Sequence, residues 1–243
     1  MTVRVLESKL WYLQRVNLFQ EMTAAEMREL ERTTKMESVK KRSALFLPGE
    51  PSRYVYLLKT GRVKISRVSE DGREVTLALL KPGEIFGEVE VLDESPRDTI
   101  AEALDDSAIC LIPREQFLAL VRHKPELSFR LTKLIGSRLR KIETRVEDLV
   151  FLDVPSRLAH LLVQLAEEHG RTTDRGIRIE IKITHQEIAN LIGSIRETVS
   201  AVLGDFKKAG LIDFEDRSIT LLRPEVLKRR SGTPSSLAAR DSR

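Results

Sequence analysis

Two runs of apolar residues at helical spacing lie between Thr184 and Gly210: Ile188, Ala189, Leu191 and Ile192, then Val199, Val202, Leu203 and Phe206. Apolar residues recurring three and four apart give a helix one apolar face, so each run predicts a short amphipathic helix. Thr184 stands three residues before Glu187, the spacing at which hydroxyl and carboxylate each satisfy an orphan amide of a first turn. A helix starts there. Gly193 ends it, because glycine adopts a positive φ at little cost. Ser194 is placed to cap the second helix, whose other side presents Arg196, Glu197, Ser200 and Ala201. Two such helices joined by a tight glycine turn form a helix-turn-helix, and the outward residues of the second would face a DNA major groove.

Upstream, as far as about Pro113, short β-type runs alternate with glycines at Gly49, Gly61, Gly72, Gly83 and Gly87. Residues 55–58, 63–66, 75–80 and 100–104 are predicted strands, and Glu70-Asp71-Gly72-Arg73 is a hairpin turn between two of them. The pattern predicts a small β-roll of jelly-roll type. From Arg114 to Leu149 the periodicity becomes helical. Ile135, Leu139, Ile142, Val146 and Leu149 are separated by four, three, four and three residues, which is the heptad seam of a helix that pairs with a copy of itself. A parallel homodimer is the expected assembly.

Residues 151–157 mark a hinge, with Pro155 suited to the first turn of the next helix. A helix over 156–169, a polar loop over 168–176, an alternating strand over 177–183 and a hairpin wing over 211–222 follow. Residues 231–243, rich in serine and small side chains, read as a disordered tail. The element order predicts an α+β chain. A β-roll with N-terminal helices occupies 1–113, a dimerisation helix and hinge 114–152, and a winged helix-turn-helix 153–230.

A chain of 243 residues is ordinary for two domains, and it contains no run of the ~18 apolar residues that a membrane span needs. The first residues lack an uninterrupted apolar stretch and a small-residue cleavage site, so the expected location is the cytoplasm, without a membrane partner. The single cysteine, Cys110, lies in an apolar strand, where a buried thiol is expected; one thiol makes neither an intrachain disulfide nor a four-thiolate cluster. His123, His160, His169 and His185 have no metal-ligand spacing, so no metal is expected. The net charge of +4 favours a polyanionic partner only mildly. Within the helix-turn-helix, Arg196, Lys207 and Lys208 are balanced by Glu187, Glu197 and Asp205, so contacts with phosphate must come from a few placed residues.

The wording Ile-Thr-His-Gln-Glu-Ile-Ala-Asn-Leu-Ile-Gly followed by Arg-Glu-Thr-Val-Ser resembles the winged helix of the Crp/Fnr (catabolite activator) superfamily of bacterial transcription regulators. Leu47-Pro48-Gly49-Glu50, Leu58 to Val63 and Pro82 to Glu88 resemble the glycine-marked corners of its cyclic-nucleotide-binding β-roll. The resemblance implies a dimer on an inverted-repeat operator, with half-sites roughly 34 Å apart and RNA polymerase as a further partner. It assigns base contacts to Arg196 and Glu197, since arginine can grip guanine O6 and N7 and glutamate can accept from cytosine N4. Ser200 and Ala201 complete the base-facing set; Ala201 stands where a further arginine is found in the catabolite activator subgroup. Lys182, Thr184, His185, Gln186 and Ser194, with Ser200 again, are candidates for phosphate contacts.

The resemblance also implies an effector pocket, and here the chain departs from the family. Gly87, Glu88 and Arg97 match the phosphate cassette. Glu90 stands where a small residue is expected, Asp98 where a hydroxyl is expected, and the intervening loop is one residue short. On the dimer helix, Ile142 and Glu143 replace the hydroxyls that meet adenine. Two added carboxylates beside a phosphate are unfavourable by about 1 kcal/mol each. The leading expectation is a sequence-specific regulator that needs no cyclic AMP, with no cofactor assigned and a cyclic nucleotide or cyclic dinucleotide left open as effector. The alternatives are a cyclic dinucleotide such as cyclic di-GMP, accepted through Asp98 or Glu143, weak cyclic AMP binding through Arg97 and Glu88, and an architectural DNA binder. No kinase glycine loop, phosphate-cradling lysine motif or nucleophile elbow is present, which argues against an enzyme.

Overall fold

The computed structural model describes residues 19–20, 22–215 and 218–231. The chain divides into two compact units, Met1–Leu139 and Arg140–Arg243.

The first unit is a β-roll of two four-stranded antiparallel sheets. Its strands are β1 (Lys35–Val39), β2 (Ala44–Phe46), β3 (Tyr54–Thr60), β4 (Val63–Val68), β5 (Glu74–Leu80), β6 (Ile85–Phe86), β7 (Ile100–Ala103) and β8 (Ser107–Pro113). One sheet has the order β1-β8-β3-β6 and the other β2-β7-β4-β5. Phe46, Tyr56, Leu58, Val63, Leu80, Phe86, Ala101, Ile109 and Leu111 from both sheets fill the space between them. The opposite face of the first sheet, with Val55, Leu57, Cys110 and Ile112, is covered by helices. Burial on both faces explains why β3 and β8 read as unbroken apolar runs instead of alternating. Cys110 is buried, as expected.

The covering helices are α1 (Ala24–Thr33), α2 (Glu88–Leu92), α3 (Arg114–His123) and α4 (Pro125–Phe151). Met27 and Leu30 of α1, Phe117 of α3, and Leu127 and Leu131 of α4 form the contact layer. The single long helix expected from Arg114 is in fact two. Lys124 adopts an extended conformation (φ −126, ψ 91) because the ring of Pro125 excludes a helical neighbour before it, and α4 starts afresh at Pro125. The helix α4 runs on from the first unit into the second.

The second unit is built on α5 (Val154–His169), whose Leu158, Ala159, Leu162 and Leu165 are buried. Asp153 caps it by accepting from Ser156 N–H at 2.9 Å, with Pro155 in the first turn. The expected polar loop contains β9 (Gly170–Thr173), which forms a hairpin with β10 (Gly176–Ile179), the start of the expected strand, closed by a hydrogen bond from Thr173 Oγ1 to Gly176 O at 2.9 Å. Polar composition masks β9, every residue of which is exposed. The strand expected to reach Ile183 stops at Ile179. With β11 (Ile212–Glu215) and β12 (Ser218–Leu221) these form a sheet of order β11-β12-β10-β9, and the β11–β12 hairpin is the expected wing. Between them lie α6 (His185–Ile192) and α7 (Arg196–Lys208), and α8 (Pro224–Arg230) follows β12. The expected tail over 231–243 lies, apart from Ser231, outside the described residues. Among the described residues no helix is long and apolar enough to cross a membrane.

Candidate nucleic-acid interface and effector cassette

The start of α6 has the predicted capping box: Glu187 N–H donates to Thr184 Oγ1 at 3.2 Å, and Thr184 N–H to Glu187 Oε2 at 2.6 Å. That carboxylate is therefore held at the N-terminus of α6, where the helix dipole favours a negative charge. Gly193 takes the left-handed conformation (φ 62, ψ 52), and Ser194 N–H turns back to Ala189 O at 3.0 Å. A Cβ at position 193 would also lie 2.8 Å from Leu149 Cδ2. The backbone conformation is what requires glycine, because the half-exposed Leu149 side chain can turn aside.

Ser194 does not cap α7 as expected. The N-cap is Ile195, in extended conformation and without a side-chain cap, because the turn after Gly193 needs one residue more. Val199, Leu203 and Phe206 are buried, and Val202 is partly buried. Arg196, Glu197 and Ala201 are exposed, as are Lys182, Thr184 and Gln186, while His185, Ser194 and Ser200 are half-buried. The His185 Nδ1 lies 2.7 Å from Ser200 Oγ, and that hydroxyl donates to Arg196 O at 2.8 Å. Ser200 thus ties α6 to the first turn of α7. Gln186 Nε2 donates to Asn190 Oδ1 at 2.8 Å. At the wing, Lys207 and Arg175 both reach Asp213, at 3.2 and 2.8 Å.

In the β-roll, Gly87 is left-handed (φ 71) and precedes α2. Glu88 is fully buried and paired with Arg138 of α4, which also donates to Ile85 O. Burial pushes the Glu88 carboxyl above its ordinary range, and the Arg138 guanidinium opposes this. Arg97 is 3% exposed. Its Nη1 donates to Gly87 O at 2.8 Å and to Glu90 Oε2 at 3.0 Å, its Nη2 donates to Tyr54 O, and its Cζ lies 4.4 Å from the Phe46 ring centre. Asp98, the next residue, is exposed and paired with Arg67. The structure thus brings Gly87, Glu88 and Arg97 together and adds Glu90, but leaves Asp98 at the surface. Ile142 and Glu143, in the other unit, are exposed. Arg97 of the cassette and Arg138 of α4 are each already matched by a buried carboxylate, so the residues present do not fit a cyclic phosphate.

Of the heptad residues, Ile135 packs against the helix-covered core of the β-roll. Leu139, Ile142, Val146 and Leu149 are 42–54% exposed along the rest of α4. Sequence reasoning missed two residues of interest. Ile195 is 62% exposed immediately before Arg196, and the only signal is an apolar side chain in a polar turn. Arg138, 50 residues from its partner Glu88, left no signal at all.

Comparison with known proteins agrees with this geometry. Residues 36–124 match the family model of the cyclic nucleotide-binding domain, and residues 156–230 match that of the Crp-like helix-turn-helix domain. The chain is 32% identical over 219 residues to the CRP-like cAMP-activated global transcriptional regulator of Mycobacterium tuberculosis, covering 90% of this chain and 98% of that protein. It is 35% identical over 196 residues to the global nitrogen regulator of Nostoc sp., covering 80% and 88%. Among solved structures, a CooA mutant from Carboxydothermus hydrogenoformans superposes with a TM-score of 0.73 at 29% identity, covering 87% of this chain and 91% of that one. The helix-turn-helix, the β-roll and these relatives together establish that the chain belongs to the Crp/Fnr family of DNA-binding transcription regulators.

Proposed function

We propose that this regulator binds an inverted-repeat operator as a homodimer joined along α4, and that it does so without cyclic AMP. The observation that supports the DNA reading most directly is α7 itself. Its apolar face is buried on α6 and the core of its own unit, while Ile195, Arg196, Glu197 and Ala201 stand exposed from its first turns. A helix of 13 residues, about 20 Å long, suits a major groove entered by its N-terminal end.

Arg196 and Glu197 read base edges, and Ala201 and Ile195 offer only apolar contact, suited to a thymine methyl. Lys182, Thr184, Gln186 and Ser194 hold phosphates, with His185 and Ser200 bracing the two helices against each other. The protein acts in the cytoplasm, where its operator and RNA polymerase are. The exposed stripe on α4 supplies the dimer contact.

Selection from a randomised DNA pool, with and without cyclic AMP, cyclic GMP and cyclic di-GMP, tests this reading. The expected product is an inverted repeat, enriched equally in every condition. Enrichment that depends on one nucleotide would identify an effector and remove the ligand-independent part; enrichment of no sequence would leave an architectural binder. Arg196→Ala is expected to cost about 1–3 kcal/mol of operator affinity and to relax one base position per half-site, measured by repeating the selection and by gel-shift titration. An unchanged preference would take Arg196 out of the base-reading set.

A further inference from the structure

The segment from Gly87 to Arg97 is folded against its own carboxylates. Ser52 Oγ donates to the carbonyls of Glu90 and Ser95, at 3.1 and 2.8 Å, and Ser95 N–H donates to Glu90 O at 3.1 Å. These ties hold the buried Glu90 opposite the buried Arg97, with Oε2 3.0 Å from Nη1. The same guanidinium is fixed by two backbone carbonyls and lies over Phe46. Its Nη1 sits where a Cβ on Gly87 would be 2.6 Å away, so it rests directly on the backbone of the cassette.

A carboxylate and a phosphate present a guanidinium with the same kind of acceptor: paired anionic oxygens that match its planar fork. Glu90 also has an advantage that no free ligand has. Its anion is tethered seven residues from Arg97 and backbone-anchored, so its effective concentration at that guanidinium far exceeds that of a dissolved nucleotide. The neighbouring pair is closed in the same way, Glu88 on Arg138. Two arginines and two carboxylates cancel, and a phosphate added to them would leave an uncompensated buried negative charge.

We propose that Glu90 is a built-in replacement for a ligand phosphate at Arg97, so that the β-roll is self-ligated and closed to cyclic nucleotides, and that removing this one charge opens the cassette as an anion site. The proposal deepens the ligand-independent reading above, and its test reads nucleotide binding directly, apart from DNA.

The full-length protein is titrated calorimetrically with cyclic AMP, cyclic GMP and inorganic phosphate, as wild type, Glu90→Ala, Glu90→Gln and the double variant Glu90→Ala/Arg97→Ala. The wild type is expected to show no saturable binding. Glu90→Ala should bind cyclic AMP saturably, at least roughly tenfold more tightly than the detection limit that bounds wild type, with Glu90→Gln between them and the double variant back at the wild-type level. Circular dichroism establishes that each variant is folded. Wild-type binding equal to that of Glu90→Ala overturns the proposal, as does a folded pair of Glu90 variants that bind no anion better than wild type. Loss of folding in both single variants also overturns it, by making Glu90 a structural tie alone. Operator binding measured alongside separates the two readings: its absence counts against the DNA function and leaves the nucleotide result standing.

Discussion

Replacing Ile142 by lysine is expected to lower operator affinity by about 10²–10⁴-fold while leaving each chain folded. Ile142 lies between Leu139 and Val146 on the exposed apolar stripe of α4, and none of the three is buried within the chain. The substitution therefore removes little intrachain packing. Across a self-paired seam it sets two ammonium groups opposite each other where two isoleucines would have excluded water. The subunits separate, and with them goes the gain from binding two half-sites at once. Sedimentation analysis should show a monomer at concentrations where the wild type is a dimer, and gel shifts should show half-site affinity only. A variant that still sediments as a dimer would move the interface elsewhere.

Gly176→Ala is expected to destabilise the DNA-binding unit by roughly 3–5 kcal/mol. Gly176 opens β10 with φ +143, a conformation that side chains rarely adopt, and an added Cβ would fall 2.0 Å from Leu221 O and 3.0 Å from Leu221 C. Both obstacles are backbone, so no side chain can swing away. β10 must leave β12, and the pairing of Ile177 with Leu221 goes with it. Thermal unfolding followed by circular dichroism should show a lower transition, accompanied by loss of DNA binding. Gly204→Ala is the matched control. That position is inside α7 with nothing within 4 Å of the added methyl, and helix propensity predicts a gain of about 0.5–1 kcal/mol. Equal effects at the two glycines would show that the close approach at Gly176 is not what matters.

The DNA-binding half was legible because its signals are local. Thr184, Glu187 and Gly193 act on residues three or four positions away, and the apolar stripes of α6 and α7 repeat within one turn. Strands β3, β4, β5, β7 and β8 were legible for the same reason, and the glycine at position 72 does join β4 to β5, whereas the short or exposed β1, β2 and β6 were not predicted. What sequence reading missed depends on conflict between local rules or on distance. Helical periodicity from Arg114 to Leu149 masked the veto that Pro125 exerts on Lys124, and the short strand β9 was hidden by its polar composition. The cassette was half legible. Glu90 and Asp98 could be identified as extra negative charges, but not that one is buried on Arg97 while the other lies at the surface on Arg67. Ion pairs such as Glu88 with Arg138 join segments that only the fold brings together, so no periodicity announces them.

The break at Lys124 separates what can change in length from what cannot. A helix transmits angular position along its whole length: each inserted residue turns everything beyond it by about 100°. Because α4 begins at Pro125, a residue gained or lost in α3 or at the break is absorbed before that count starts. One residue gained between Leu139 and Ile142 would swing Val146 and Leu149 out of line with Leu139. Natural variants of this chain should therefore tolerate a residue gained at the Lys124 break more readily than one gained between Leu139 and Leu149.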